Sequence, residues 1–294
     1  MANVLKSDKR LQIIHLLCEG NSIRSTERLT GVHRDTIMRV LVDFGEKCRV
    51  MLDNWMRDLK LRHIQADEIW TFVQKKEGRI HVDEKERKPF IGDQFLFIAL
   101  DQKTKLIPSF IIGKRTANTT YRFIEDLSKR IVLPGPHDSD SHAFHPEGFR
   151  NPVQISTDGF KHYKYSIDRF MGARVLHGVL IKNYRNADMP GRYAAPEMVN
   201  TQRIGITQGI NLQSICTSHV ERKNLSIRTF MKRFARLSLG FSKKLENLEA
   251  AVAIHVAHYN FCRRHSTLRM TPAMAAGVTD TLWSLETLIE RSQS

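Results

Sequence analysis

Acidic side chains are scarce in this chain: 31 Asp and Glu stand against 46 Lys and Arg, a formal net charge of +15 over 294 residues. Such a surface attracts polyanions, and nucleic acid is the commonest of these, although ribosomes and membrane surfaces obey the same arithmetic. Cysteine is scarcer still. Cys18, Cys48, Cys216 and Cys262 form no Cys-x-x-Cys pair, which argues against a zinc ribbon, fits a reducing compartment and reads all four as small buried apolar residues. No apolar run reaches the roughly 18 residues that a membrane span needs, and MANVLKSDKR at the start lacks the apolar core of a signal peptide. The expectation is a folded cytoplasmic protein with no membrane partner. Internal repeats and low-complexity tracts are also missing, while 41% hydrophobic content suffices for the core of one large or two modest domains.

What is abundant is base, and it is concentrated. Between Arg222 and Lys244 stand eight Lys or Arg residues and no acid, with Glu221 directly before them. At about 100° per residue, Val220, Ile227, Phe230, Met231 and Phe234 make one apolar helical stripe. Glu221, Arg228 and Lys232 lie at its border with solvent. A solvated charged face is the plain reading. A single carboxylate among cations also suits a metal ligand beside a polyphosphate, and that reading requires partner acids elsewhere.

The N-terminal pattern is helical. Leu11, Ile14, Leu17 and Cys18 are helically spaced within residues 9–19, and Gly20-Asn21 ends that helix. A short helix over 22–29 and a break at Thr30-Gly31 follow. Ile37, Val40, Leu41 and Phe44 then set a third helix whose first turn exposes His33, Arg34, Asp35, Thr36 and Arg39. This is a helix-turn-helix plan with the third helix in a DNA major groove, although any small three-helix bundle shows the same pattern. Apolar spacing runs on through Cys48, Met51, Leu52, Trp55 and Leu59, so the helix extends as a linker or pairing surface.

The texture changes near His63. Residues 64–73, IQADEIWTFV, read as a strand buried on both faces, yet Asp67 and Glu68 sit at its centre. Buried carboxylates need a cation nearby. Side chains alternate in a strand, so Asp67 and Glu68 point to opposite faces and at most one serves a given site. Strands over 94–100 and 106–112 complete an antiparallel meander, and a helix over 116–131 follows. The polar segment 134–152 carries His137, Asp138, Asp140, His142 and His145 at spacings matching no common ligand motif, and reads as a solvated loop. A strand over 153–157 delivers Asp158 to its C-terminal end, where open α/β sheets place their chemistry. Then come a helix over 161–171, a strand over 175–181 and a long irregular insert over 182–217. After the basic helix, 245–264 is helical, Thr271-Pro starts a short helix, and Trp283 and Leu285 dock the tail.

The expected fold is α/β: a mixed sheet with flanking helices preceded by an all-α unit, dividing at 1–62, 63–265 and 266–294. Asp67 on a central strand, Asp158 at a neighbouring strand end and Glu221 on a covering helix can converge into a divalent-cation site. Each also has a plain reading, as the partner of a buried Lys, as part of a turn, or as a helix N-terminal acid.

ADEIWTFV around Asp67, ISTDGFKHY around Asp158 and SHVERKNLSIRTFMKRFARLSLGFSKKLEN from Ser218 resemble the three signature blocks of bacterial insertion-sequence transposases of the IS-one family. YNFCRRHSTLRMTPAMAAG over 259–277 is similar to the segment that follows in these enzymes. The resemblance runs from about residue 9 to the C-terminus. It implies an RNase H-like core in which Asp67, Asp158 and Glu221 form a DDE catalytic triad holding two Mg²⁺ or Mn²⁺ ions. It also implies a nucleoid-associated bacterial protein that cuts element ends, joins them to target DNA and acts as a homo-oligomer on double-stranded DNA. Arg228, seven residues after Glu221, falls where such enzymes often carry a DNA-contacting cation. Asn224, Lys232 and Arg236 are further candidate DNA contacts, beside His33, Arg34, Thr36 and Arg39. His219 and Asn224 flank the acid and fit capping or packing equally well. The cysteine zinc finger of some family members has no counterpart here. A hydrolytic nuclease of the same fold and a catalytically dead DNA-binding regulator are the alternatives, and three intact acids count against the second.

Overall fold

Glycine and small polar caps shape the N-terminal third. α1 (Ser7–Cys18), α2 (Ile23–Thr30) and α3 (Arg34–Trp55) are separated by tight breaks: Ser22 Oγ accepts from the Ser25 amide at the start of α2, and Gly31 ends it at φ 71°. That left-handed conformation is nearly free of strain only for glycine. The structure is a computed structural model and describes residues 5–134, 153–185, 197–236 and 238–293. His137, Asp138, Asp140, His142 and His145 lie outside the described residues.

The 22-residue α3 buries Ile37, Leu41, Phe44, Cys48 and Leu52 against α8 (Leu245–Phe261). Gly45 makes this possible, because a Cβ there would stand 2.4 Å from the Ala250 Cβ. The apolar face expected to serve as a linker or pairing surface is therefore covered within the chain. Trp55, Phe261 and Trp283 interlock, with the last two stacked at 4.2 Å, and Leu285 begins the closing α10 (Leu285–Arg291). The tail docks as its apolar residues predict, after the short α9 (Pro272–Ala275). One contiguous buried cluster runs from Ile13 to Leu288.

β1 (His63–Val73), β2 (Gly92–Asp101), β3 (Phe110–Gly113), β4 (Val153–Thr157), β5 (Val175–Arg185) and β6 (Glu197–Gly205) form one sheet in the order β3-β2-β1-β4-β5-β6. The first three are antiparallel, β4 is parallel to β1, β5 is parallel to β4, and β6 returns antiparallel. The chain is thus α/β with a mixed sheet flanked by helices. A single-turn-plus helix, α4 (Val82–Arg87), decorates the β1–β2 connection. α5 (Ala117–Arg130) and α6 (His162–Phe170) cover one face, where the rings of Phe97, Phe123 and Tyr163 meet. α7 (Ser218–Phe230) lies over β1 and β2 on the other face.

Four expectations are corrected. The third strand starts at Phe110 rather than 106, because the backbone of Ile107 is held on both sides by the Asn260 amide of α8. Residues 197–205 form a strand inside the supposedly irregular insert, and every residue of it is exposed, so it has no apolar alternation to read. α7 stops at Phe230 instead of carrying its stripe through Phe234: the chain turns back over β1, where Thr71 Oγ1 donates to the Arg233 carbonyl oxygen at 2.6 Å and the Gln74 amide to that of Ser242. Cys216 and Cys262 are half-buried, and only Cys18 and Cys48 are buried. Among the described residues no helix is long and apolar enough to cross a membrane.

Candidate active site

The site begins where β4 ends. β1 and β4 pair at His63 with Gln154, Ile64 with Ile155 and Gln65 with Ser156. Two steps further in the same register bring Asp67 beside Asp158, just past the last residue of β4. Beyond that point β1 has no strand partner on this side until Val73 bridges Ser242, and between the two a cleft of about 780 Å³ opens, lined by Asp67, Glu68, Asp158 and Glu221 among others.

Asp67 faces α7, where the Asn224 amide donates to its Oδ2 at 2.8 Å. Glu68 faces α6, where Tyr163 Oη donates to its Oε2 at 2.9 Å. Strand alternation thus holds, but the inference that only one of the two can serve the site does not. Oxygens of Asp67, Glu68 and Asp158 all lie within 4.8 Å of one another. The two faces of a sheet are separated only while a flanking strand fills the gap, and here β4 has ended. Arg115, from the β3–α5 connection, bridges the group: its Nε is 2.5 Å from Glu68 Oε1 and its Nη2 is 3.6 Å from Asp158 Oδ2. Asp158 Oδ1 also accepts from the Phe160 amide.

Crowded, partly buried carboxylates hold their protons more tightly than free ones. Burial, then the charges of Glu68 and Asp158, push Asp67 up to about 7, with Glu221 adding a smaller push. Burial and Asp158 raise Glu68 against the opposing Arg115 guanidinium. Burial likewise raises Asp158, against the Phe160 amide and Arg115. Arg115 pairs with two of the three carboxylates, and the all-oxygen donor set of the trio suits a hard divalent ion.

Glu221 lines the same cleft but stands outside that trio. Lys182 on β5 places Nζ 2.5 Å from both of its oxygens, and Thr217 Oγ1 donates to Oε1 at 2.6 Å. Arg228 also lines the cleft, its Nε buried and unpartnered, as is Asn224 Oδ1. Asn224 is buried, so its amide serves Asp67 directly. Lys232 and Arg236 are exposed on the turn after α7 rather than on its acid-bearing face. His33 caps α3 through Nδ1, Arg39 reaches Thr36 Oγ1 at 3.2 Å, and Arg34 and Arg39 are exposed; none of these four lines the cleft.

Sequence reasoning missed Arg115, Tyr163 and Lys182. Lys182 was hidden by ending β5 at residue 181, because the apolar run stops there while the strand continues, exposed, to Arg185. Arg115 carries no signal at all, since its role depends on where its connection crosses the sheet. Searches of protein-family models and of curated proteins find no match to this chain.

Proposed function

We propose that this chain is a DNA transposase of the DDE type, cleaving strands at the ends of an insertion element and joining them to target DNA. The observation that carries the reading is the convergence of Asp67, in the middle of β1, and Asp158, just past the end of its parallel neighbour β4, with Glu221 across the same cleft. The sheet is compatible with an RNase H-like fold, and the excess positive charge supports a polyanionic substrate. Exposed His33, Arg34 and Arg39 at the start of α3 support a helix-turn-helix contact to DNA.

Asp67, Asp158 and Glu221 would hold two Mg²⁺ or Mn²⁺ ions, with Glu68 as an additional oxygen donor. Bound there, such ions supply activation of the attacking oxygen and charge stabilisation of the leaving one. The chain's own groups do the rest. Asn224 fixes the Asp67 carboxylate, and Tyr163 and Arg115 fix Glu68. Arg228 lines the cleft and would offer its guanidinium to the phosphate backbone. Lys182 leaves Glu221 as that carboxylate turns to the other acids, and its freed ammonium meets a substrate phosphate. Water and a DNA 3′-hydroxyl are successive nucleophiles at one site, so no covalent enzyme intermediate is needed. Pairing of two element ends calls for a homo-oligomer on DNA.

The test is Asp158→Asn with a plasmid carrying the DNA that flanks the gene. Strand cleavage in Mg²⁺ should fall below detection while a gel-shift titration remains within twofold of the parent. Retained cleavage would remove Asp158 from the site. Precleaved ends incubated with a target plasmid should yield joined products; nicks alone would favour the hydrolytic nuclease.

A further inference from the structure

On the Glu68 face of β1 the sheet carries more aromatic surface than its helices cover. Side chains alternate along a strand, so Glu68, Trp70 and Phe72 share this face. Opposite Glu68, Phe97 is fully buried against Phe123 of α5 and Tyr163 of α6. Further along the same face, Trp70 and Phe72 are only half-buried. They occupy the stretch where β1 has lost β4 and has not yet met Ser242. The bridge between Val73 and Ser242 then sets Phe241 beside Phe72 with the two rings stacked at 4.7 Å, and Trp70 meets Phe72 at 5.6 Å.

These three rings do not serve the core. Phe95, opposite Trp70, packs against the main buried cluster, whereas Trp70, Phe72 and Phe241 stand outside it as a row of their own. Each end of the row is met by a lysine: Lys76 Nζ is 5.6 Å from the Trp70 ring centroid, and Lys243 Nζ is 4.2 Å from that of Phe241. Both lysines are exposed, and neither forms an ion pair among the described residues. Asp93, opposite Phe72, has its Oδ1 engaged by the Glu77 amide. An aromatic row that the core does not use, with a flexible cation at either end, is complementary to a nucleic-acid strand. Ring faces stack on bases of any sequence, and ammonium groups meet the phosphates between them.

We infer that Trp70, Phe72 and Phe241 form a shelf on which unpaired bases of a DNA strand stack, with Lys76 and Lys243 on its phosphates. Base faces are hidden inside a duplex, so the shelf selects a strand that has been opened. The row starts two residues from Glu68, which lines the acid cleft, so a strand lying along it leads toward the carboxylates. That this strand is one to be cut rests on the transposase reading; the preference for unpaired bases rests on the rings themselves.

The test is fluorescence anisotropy of the full chain in EDTA, across a salt series, with a short labelled DNA single strand and with the duplex of the same sequence. Trp70→Leu and Phe241→Leu should weaken single-strand binding roughly fivefold to a hundredfold, keep duplex binding within about twofold and leave the salt dependence unchanged. Their circular dichroism spectra should match the parent's, since the rings stand outside the core. Phe241→Tyr, which keeps a ring, should bind as the parent does. Lys76→Gln and Lys243→Gln should instead lower the slope of log affinity against log salt by about 0.7 per lost phosphate contact. The single strand should also quench tryptophan emission in the parent but not in Trp70→Leu, because Trp55 and Trp283 are interlocked with Phe261. Unchanged single-strand binding, equal losses on single strand and duplex, or quenching that survives Trp70→Leu overturns the shelf. Tighter binding of an RNA strand than of the DNA strand overturns DNA as the occupant. Cleavage that ignores Asp158→Asn, with the single-strand preference intact, retains the shelf and overturns the catalytic assignment.

Discussion

Replacing Asp67 by Asn removes one of three carboxylates crowded within 4.8 Å while keeping an oxygen for the Asn224 amide. Asp67 is pushed from 3.8 to about 7, by burial first and by Glu68 and Asp158 next. Roughly three pH units at about 1.4 kcal/mol each cap the cost of the ionised group at about 4 kcal/mol, and solvent in the open cleft lowers it to about 1–2 kcal/mol. The folded chain binds this proton more tightly than the unfolded one. Its stabilising contribution is therefore complete below the unfolded value and is lost as pH rises through about 7. In EDTA, the parent should lose stability relative to Asp67→Asn between pH 5 and pH 8, and at pH 8 the variant should melt higher by about 2–4 °C. Added Mg²⁺ should raise the parent's melting temperature by neutralising the trio, and raise that of the variant much less. Differential scanning fluorimetry over a pH series, with and without Mg²⁺, reads both effects. A variant that melts no higher in EDTA at pH 8, or that keeps the full Mg²⁺ response, refutes the account of the acid cluster.

Lys182→Met removes the ammonium that engages both oxygens of Glu221. Mg²⁺ half-saturation, followed by thermal shift, should fall by about threefold to tenfold because the cleft becomes more negative, while strand cleavage slows; weaker Mg²⁺ binding would contradict the role given to Lys182. Gly45→Val forces α3 and α8 apart at Ala250 and should cost about 3 kcal/mol or more in urea unfolding. An unchanged midpoint would mean that the two helices part without penalty.

Much of the chain's local structure is readable from its residues. The β-branched run around Asp67 and the short apolar strand before Asp158 stand in β1 and β4, and the caps and glycines that bound α2 are where residue chemistry puts them. β6 escaped notice because a strand exposed along its whole length has no hydrophobic period. The end of α7 escaped notice because its apolar stripe continues unbroken through a turn that tertiary contacts impose.

The candidate site divides the same way. Sequence by itself determined that Asp67 lies in a strand, that Asp158 closes one and that Glu221 opens a basic helix, since each depends on a handful of neighbouring residues. Tertiary structure alone decided that Glu68 joins Asp67 and Asp158, that Arg115 bridges them and that Lys182 engages Glu221. These meetings follow from β4 stopping short of β1 and from β5 running past it. Relative strand length is a relation between segments some 90 residues apart in the chain, and no local pattern encodes it.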